Sequence, residues 1–109
     1  MATTYKVLGQ SNPSATTNTT LYTCPASTQT VISTITICNQ AGTSGTYRIA
    51  IRPNGATISA EHYIVYDASV PANSTTAYTL GMTIDASDVV TVYASSANMS
   101  FNAFGSEIA

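Results

Sequence analysis

Few residues in this chain could do chemistry, and their spacing limits what that chemistry could be. His62 is the only imidazole, and it directly follows Glu61. In a predicted strand from Glu61 to Tyr66, adjacent side chains point to opposite faces, so Glu61 is poorly placed to orient His62 as a base. His62 is therefore expected to be a hydrogen-bonded or solvated histidine. Asp67, Asp85 and Asp88 fall at predicted strand ends or turns. Calcium wants about 6–8 oxygen ligands, so Asp85 and Asp88 are expected instead to cap their turn through backbone amides. Cys24 and Cys38 leave two readings open. They are either small buried thiols in strands or a disulfide, which needs Cα atoms roughly 4.4–6.8 Å apart. With one histidine as nitrogen partner, no metal or other cofactor is expected. The sequence contains no glycine-rich phosphate loop and no nucleophile elbow. The expectation is a protein that is not an enzyme.

Binding chemistry has more to work with. Arg48 and Arg52 share a face of one predicted strand, about 13 Å apart by strand rise. They can meet acidic groups on a partner or be paired at home. In the predicted strand from Glu61 to Tyr66, Tyr63 and Val65 lie opposite Ile64 and Tyr66. One sandwich core covers one such face, so Tyr63 and Val65 are the candidate partner contacts and Ile64 is assigned to the core. Among the 7 tyrosines, Tyr22, Tyr63, Tyr66 and Tyr93 are further contact candidates. Sugar sites often use tryptophan, which the sequence lacks.

The elements that must position these residues are strands. The chain has 109 residues, 44% of them hydrophobic and 7% charged, with a net charge of −2. Three cations cannot build the basic patch that neutralises phosphates, so nucleic acid is not an expected partner. No run approaches the roughly 20 apolar residues of a membrane-spanning helix. The N-terminus lacks the apolar run of a signal peptide, so synthesis in a cytoplasm is expected. Three N-x-Ser/Thr triplets, at Asn18, Asn73 and Asn98, arise readily by chance in so Thr-rich a chain and are assigned no glycan. Counts of 19 Thr and 13 Ser against 3 Leu favour strands over helices.

Strands are predicted at 5–10, 19–24, 30–39, 46–52, 61–66, 75–84, 89–95 and 99–104. Turn chemistry at Pro13, Pro25, Gly42, Gly55, Pro71 and the stretch from Asp85 to Asp88 separates them. About eight short strands without a long helix predict an all-β chain: a single antiparallel β-sandwich over 1–109, Ig-like or jelly-roll. The expected core is Val7, Leu21, Val31, Ile35, Ile37, Tyr47, Ile49, Ile51, Ile64, Leu80, Met82, Ile84, Val90, Val92 and Phe101. The outer faces are Thr, Ser and Ala rather than Lys and Glu, so covering them with another protein desolvates few charges.

Four segments carry a resemblance. They are the stretch from Tyr5 to Gln10, that from Thr46 to Pro53, that from Asp88 to Ser95, and that from Phe101 to Ser106. Together they resemble small virion structural proteins of tailed phages that infect cyanobacteria, with the likeness running over nearly the whole chain. The resemblance implies a virion component assembled in the host cytoplasm, with no catalytic residues to carry over. Two roles follow as expectations. One is a capsid decoration or cement protein on the major capsid protein or other virion proteins. The other is a tail, neck or fibre component, including a receptor- or glycan-binding module. An adhesin would expose aromatics on loops, and the predicted loops are mainly Ser, Ala, Asn and Gly, which favours decoration. Edges poor in lysine and strands apolar on both faces predict a homo-oligomer. A trimer is named by analogy with the local threefold sites of capsids.

Overall fold

Runs of Thr, Ile, Val and Tyr broken by turn residues become strands because alternate side chains can be buried on one face. The computed structural model describes residues 2–109. Its strands are β1 (Thr3–Ser11), β2 (Thr19–Thr23), β3 (Gln29–Asn39), β4 (Gly45–Arg52), β5 (Tyr63–Val70), β6 (Ser74–Tyr78), β7 (Met82–Ile84), β8 (Val89–Ala94) and β9 (Met99–Ile108). All pair antiparallel, in a nested pattern. β4 pairs with β5, β3 with β6 and β7, β2 with β8, and β1 with β9. Rolled up, this gives one sheet ordered β1-β9-β3-β6, with β7 also on β3, and a second ordered β2-β8-β4-β5. The protein is an antiparallel β-sandwich. Of the two topologies expected, its strand order is that of the jelly roll.

Between the sheets lie Leu21, Ile35, Ile37, Tyr47, Ile49, Ile84, Val90, Val92 and Phe101, as expected, with Ile51 and Met82 packed at the margin. Four expected core residues lie elsewhere, each for a local reason. In β3 the register against β9 shifts between Ile32 and Thr34. The extra residue of this bulge reverses the facing of the strand. Ile32, not Val31, is therefore buried together with Ile35 and Ile37. Val7 lies outward on edge strand β1, where a shift between Val7 and Gly9 lets Leu8 pack against the core. The strand expected at 75–84 breaks into β6 and β7 around Gly81 (φ 64°), and Leu80 at that break is exposed. A positive φ suits glycine, which has no Cβ to clash. Ile64 is treated below with its strand.

Polar groups inside the sandwich are paired. The Tyr22 hydroxyl donates to Glu107 Oε2 at 2.5 Å and lies 2.7 Å from Thr30 Oγ1. Lys6 Nζ donates to Glu107 Oε1 at 3.1 Å. This chain of contacts ties β2 in one sheet to β9 and β1 in the other. Tyr22 is thus a structural residue, not a contact. Its hydroxyl pKa is raised, first by burial and then by Glu107. The Glu107 pKa is lowered, chiefly by the Tyr22 hydrogen bond, against the opposing effect of burial and with Lys6 helping. A carboxylate depressed in the folded state stabilises above its unfolded pKa of about 4.3 and loses that contribution as pH falls through the folded value. Glu107→Gln is expected to lose about 1–2 kcal/mol at pH 7, the scale of one hydrogen bond to a charged group at a partly exposed site. It should also show a shallower loss of stability on acidification. Urea unfolding at neutral and acidic pH checks this; an acid dependence identical to that of the parent protein would refute it.

Candidate contact site

The outer face of the second sheet gathers the charged and aromatic residues that the sequence singled out. Its geometry comes from irregularities in β5. Tyr47 pairs with Ala68 and Ile49 with Val65, so Tyr66 and Asp67 together stand opposite Arg48. Asp67, read from sequence as a strand-end residue, lies inside β5 at this bulge, with φ 53°. Bulges re-aim side chains, and this one brings the Asp67 carboxylate to the Arg48 guanidinium. Arg48 Nε lies 2.7 Å from Asp67 Oδ1, and its Nη2 lies 3.3 Å from Oδ2. On its other side Arg48 pairs with Tyr93 of β8. The guanidinium carbon sits 4.3 Å from the Tyr66 ring centre and 4.2 Å from that of Tyr93. Arg48 is therefore clamped between two rings and a carboxylate, and Asp67 raises its pKa further above the ordinary arginine value. The ion pair is partly exposed and contributes little energy by itself; its effect is to hold Tyr66 and Tyr93 in place.

A second register shift corrects the expectation for β5. Ile49 pairs with Val65 and Ala50 with Tyr63, leaving Ile64 as the extra residue. Val65, expected to meet a partner, is 9% exposed and belongs to the core, whereas Ile64, expected in the core, is 46% exposed. Strict alternation assumed that Tyr63 and Val65 share a face, and the bulge separates them. Tyr63 instead meets Tyr66 edge to face, with ring centres 4.9 Å apart and planes at 86°. An open hollow beside this pair is lined by Ser59, Ala60, Tyr63 and Tyr66.

The remaining candidates are held at home. Arg52 Nε donates to Thr91 Oγ1 at 3.0 Å, and its Nη1 donates to the carbonyls of Gly55 and Ala56. It pins the segment after β4 onto the sheet rather than reaching outward. Glu61 and His62 lie in a short 3-10 turn, Ala60–His62, not in a strand. His62 Nδ1 accepts the Ser59 amide at 3.1 Å, and Nε2 is 3.9 Å from Glu61 Oε2. The histidine is hydrogen-bonded, as expected, although the reason given for keeping Glu61 away from it does not hold. Asp88 accepts the Asn54 and Asp85 amides at 2.8 Å each, and Asp85 accepts the Ala86 amide, so both carboxylates cap the turn as expected. Both cysteines are free. Cys24 is buried just beyond β2, its thiol 3.2 Å from Thr30 Oγ1, while Cys38 is only half-buried in β3.

The first sheet presents a different surface, one the sequence reading did not pick out. Val7 of β1 pairs with Phe104 of β9, which pairs with Thr34 of β3; Tyr5 pairs with Ser106, which pairs with Val31. Tyr5 is 84% exposed, and Val7 and Phe104 are exposed beside it. Comparison of the chain with protein-family models, with curated proteins and with solved structures returns no match.

Proposed function

We propose that this protein is a non-enzymatic virion component of a tailed phage, and specifically a decoration or cement protein that docks on the outer shell. The sequence resemblance motivates the reading. The observation that carries it is the outer face of the first sheet, where Tyr5, Val7 and Phe104 lie exposed and in register across β1 and β9. Such a face can be covered at little desolvation cost, because the residues paired beside it, Ser106, Thr34 and Val31, carry no charge. Strand β1 is also a sheet edge nine residues long with one lysine, Lys6, whose charge is engaged by Glu107. Long edges without free charges accept strand partners, which supports self-association, with a trimer named from capsid symmetry.

A shell role requires on the order of hundreds of copies per particle, so that weak contacts multiply. Quantitative mass spectrometry of purified virions is expected to find that number. Phe104→Glu protein added to undecorated particles is expected to bind at least about tenfold more weakly than the parent, since an unpaired charge would enter the contact. Sedimentation velocity at micromolar concentration is expected to show a homo-oligomer. A dozen or so copies per particle would overturn the shell assignment in favour of the tail or neck. A single 11.3 kDa species would overturn the oligomer.

A further inference from the structure

The hollow beside Tyr63 and Tyr66 lies on the second sheet, whereas the exposed face invoked for docking lies on the first. Its walls are two tyrosine rings at right angles, so an aromatic face and an aromatic edge meet at a corner. Tyr66 is 59% exposed even though Arg48 covers one side of its ring. The corner is built before any ligand arrives, because Arg48 is itself fixed by Asp67 and Tyr93. Such preorganisation lowers the ordering cost of binding. Polar groups stand at the rim. Ser59 lines the hollow, and Glu61 follows two residues on in the same turn, its pKa lowered chiefly by its own backbone amide and then by Ser59.

Charge narrows the ligand class. Arg48 is neutralised by Asp67, and Glu61 adds a negative charge nearby, so an anionic ligand is repelled. A cation would have to stack on Tyr66, and Arg48 already occupies that cation–π position on one side of the ring. A wholly apolar ligand would offer no partner to the Ser59 hydroxyl that lines the hollow. What fits is a neutral ring with an apolar C–H face for a tyrosine and hydroxyls that pair with the hydroxyl groups of Ser59 and the two tyrosines. We propose that Tyr63, Tyr66 and Ser59 form a subsite for a neutral pyranose. A two-ring corner of this size gives weak affinity, with Kd of about 1 mM or above, which repetition on a multivalent assembly would amplify. The inference goes beyond the docking reading and does not depend on it.

Titration of the isotope-labelled protein with methyl glucoside, methyl galactoside and methyl mannoside, followed by amide chemical shifts, tests the proposal. At least one is expected to shift residues 59–67 selectively, and N-acetylneuraminic acid is expected not to. Tyr66→Ala should weaken binding at least about tenfold, the loss of one stacking contact. Tyr66→Phe should retain it, and the same spectra report whether each variant is folded. Tyr63→Ala, lacking the other wall, should also lose binding and serves if Tyr66→Ala is misfolded. The proposal is overturned by no shift at tens of millimolar sugar, by shifts confined to other surfaces, or by undiminished binding in a folded Tyr66→Ala or Tyr63→Ala protein. It is equally overturned if Tyr66→Ala abolishes binding to virions while none of the three sugars binds the parent, because the corner is then a protein contact.

Discussion

Asn39→Asp is expected to destabilise the fold by about 3–5 kcal/mol at neutral pH, the cost of leaving a charge buried without a partner. The two side chains are nearly the same size, so the effect is one of hydrogen-bond polarity. Asn39 ends β3 and is 1% exposed. Its Nδ2 donates to the carbonyls of Thr43 at 2.9 Å, Val70 at 3.3 Å and Pro71 at 3.3 Å, and its Oδ1 accepts the Ala41 amide at 3.0 Å. One amide group thus joins the β3–β4 turn to the segment that leaves β5. An aspartate would aim a carboxylate oxygen at three carbonyl oxygens. Domains of this kind have total stabilities of about 5–15 kcal/mol, so the variant would lose a large share.

The pH dependence gives the prediction a sign. Carbonyl oxygens facing the new carboxyl disfavour its ionised form and raise its folded pKa above the unfolded value of about 3.9. Below that value the group is protonated in both states, and the penalty is smallest because the acid can still donate one hydrogen bond. As pH rises, the unfolded chain ionises while the folded one resists, so the penalty grows until the folded pKa is reached. Urea unfolding of parent and variant across the acidic range measures this. A deficit under 1 kcal/mol at pH 7, or one that shrinks as pH rises, would refute the role assigned to Asn39.

How much of this could be read beforehand depended on regularity. In β4, Tyr47 and Ile49 face the core and Arg48 faces away, as two-residue alternation requires, since no extra residue interrupts that strand. In β3 and β5 the same rule fails at Ser33 and Ile64. A bulge is decided by how two distant strands meet, and nothing local to Val31 or Val65 marks it. The break at Gly81 was more legible, because a glycine inside a strand pattern is a recognised sign of irregularity. Asn39 carries no such mark, being one more polar residue at a strand end until Val70 and Pro71 are folded against it.

The contact site divides in the same way. Arg48 and Tyr63 were legible as surface candidates from composition and parity, and Tyr66 and Tyr93 as tyrosines in strands. Their assembly was not, because it depends on the bulge that sets Asp67 opposite Arg48. These aromatics lie on strands, as the sequence placed them, so the argument from aromatic-poor loops does not bear on them. The apolar patch of Tyr5, Val7 and Phe104 is not legible in the sequence, because two-residue alternation places Val7 in the core.

Gly105→Ala is the smallest change expected to disturb the central ladder, at about 3 kcal/mol, the upper range for inserting a methyl group into packed structure. Gly105 pairs with Ile32 of β3 on one side and Lys6 of β1 on the other, beside the bulge after Ile32. A Cβ there would overlap the Val31 carbonyl and crowd the Ile32 backbone. Backbone cannot rotate away as a side chain can, so either the bulge must shift or the β3–β9 pairing must open. Shifting the bulge would turn Ile32 outward and Val31 inward and cost the burial of Ile32 as well. Glycine is therefore required here for close backbone approach rather than for an unusual φ. Ser106→Ala, one residue on and half-buried on the outer face, is expected to stay within about 0.5 kcal/mol of the parent. Denaturant midpoints of both variants decide the matter. If Gly105→Ala unfolds at the same midpoint as Ser106→Ala, the bulge is not held in place by contact with β9, and the account of why β3 reverses its facing fails with it.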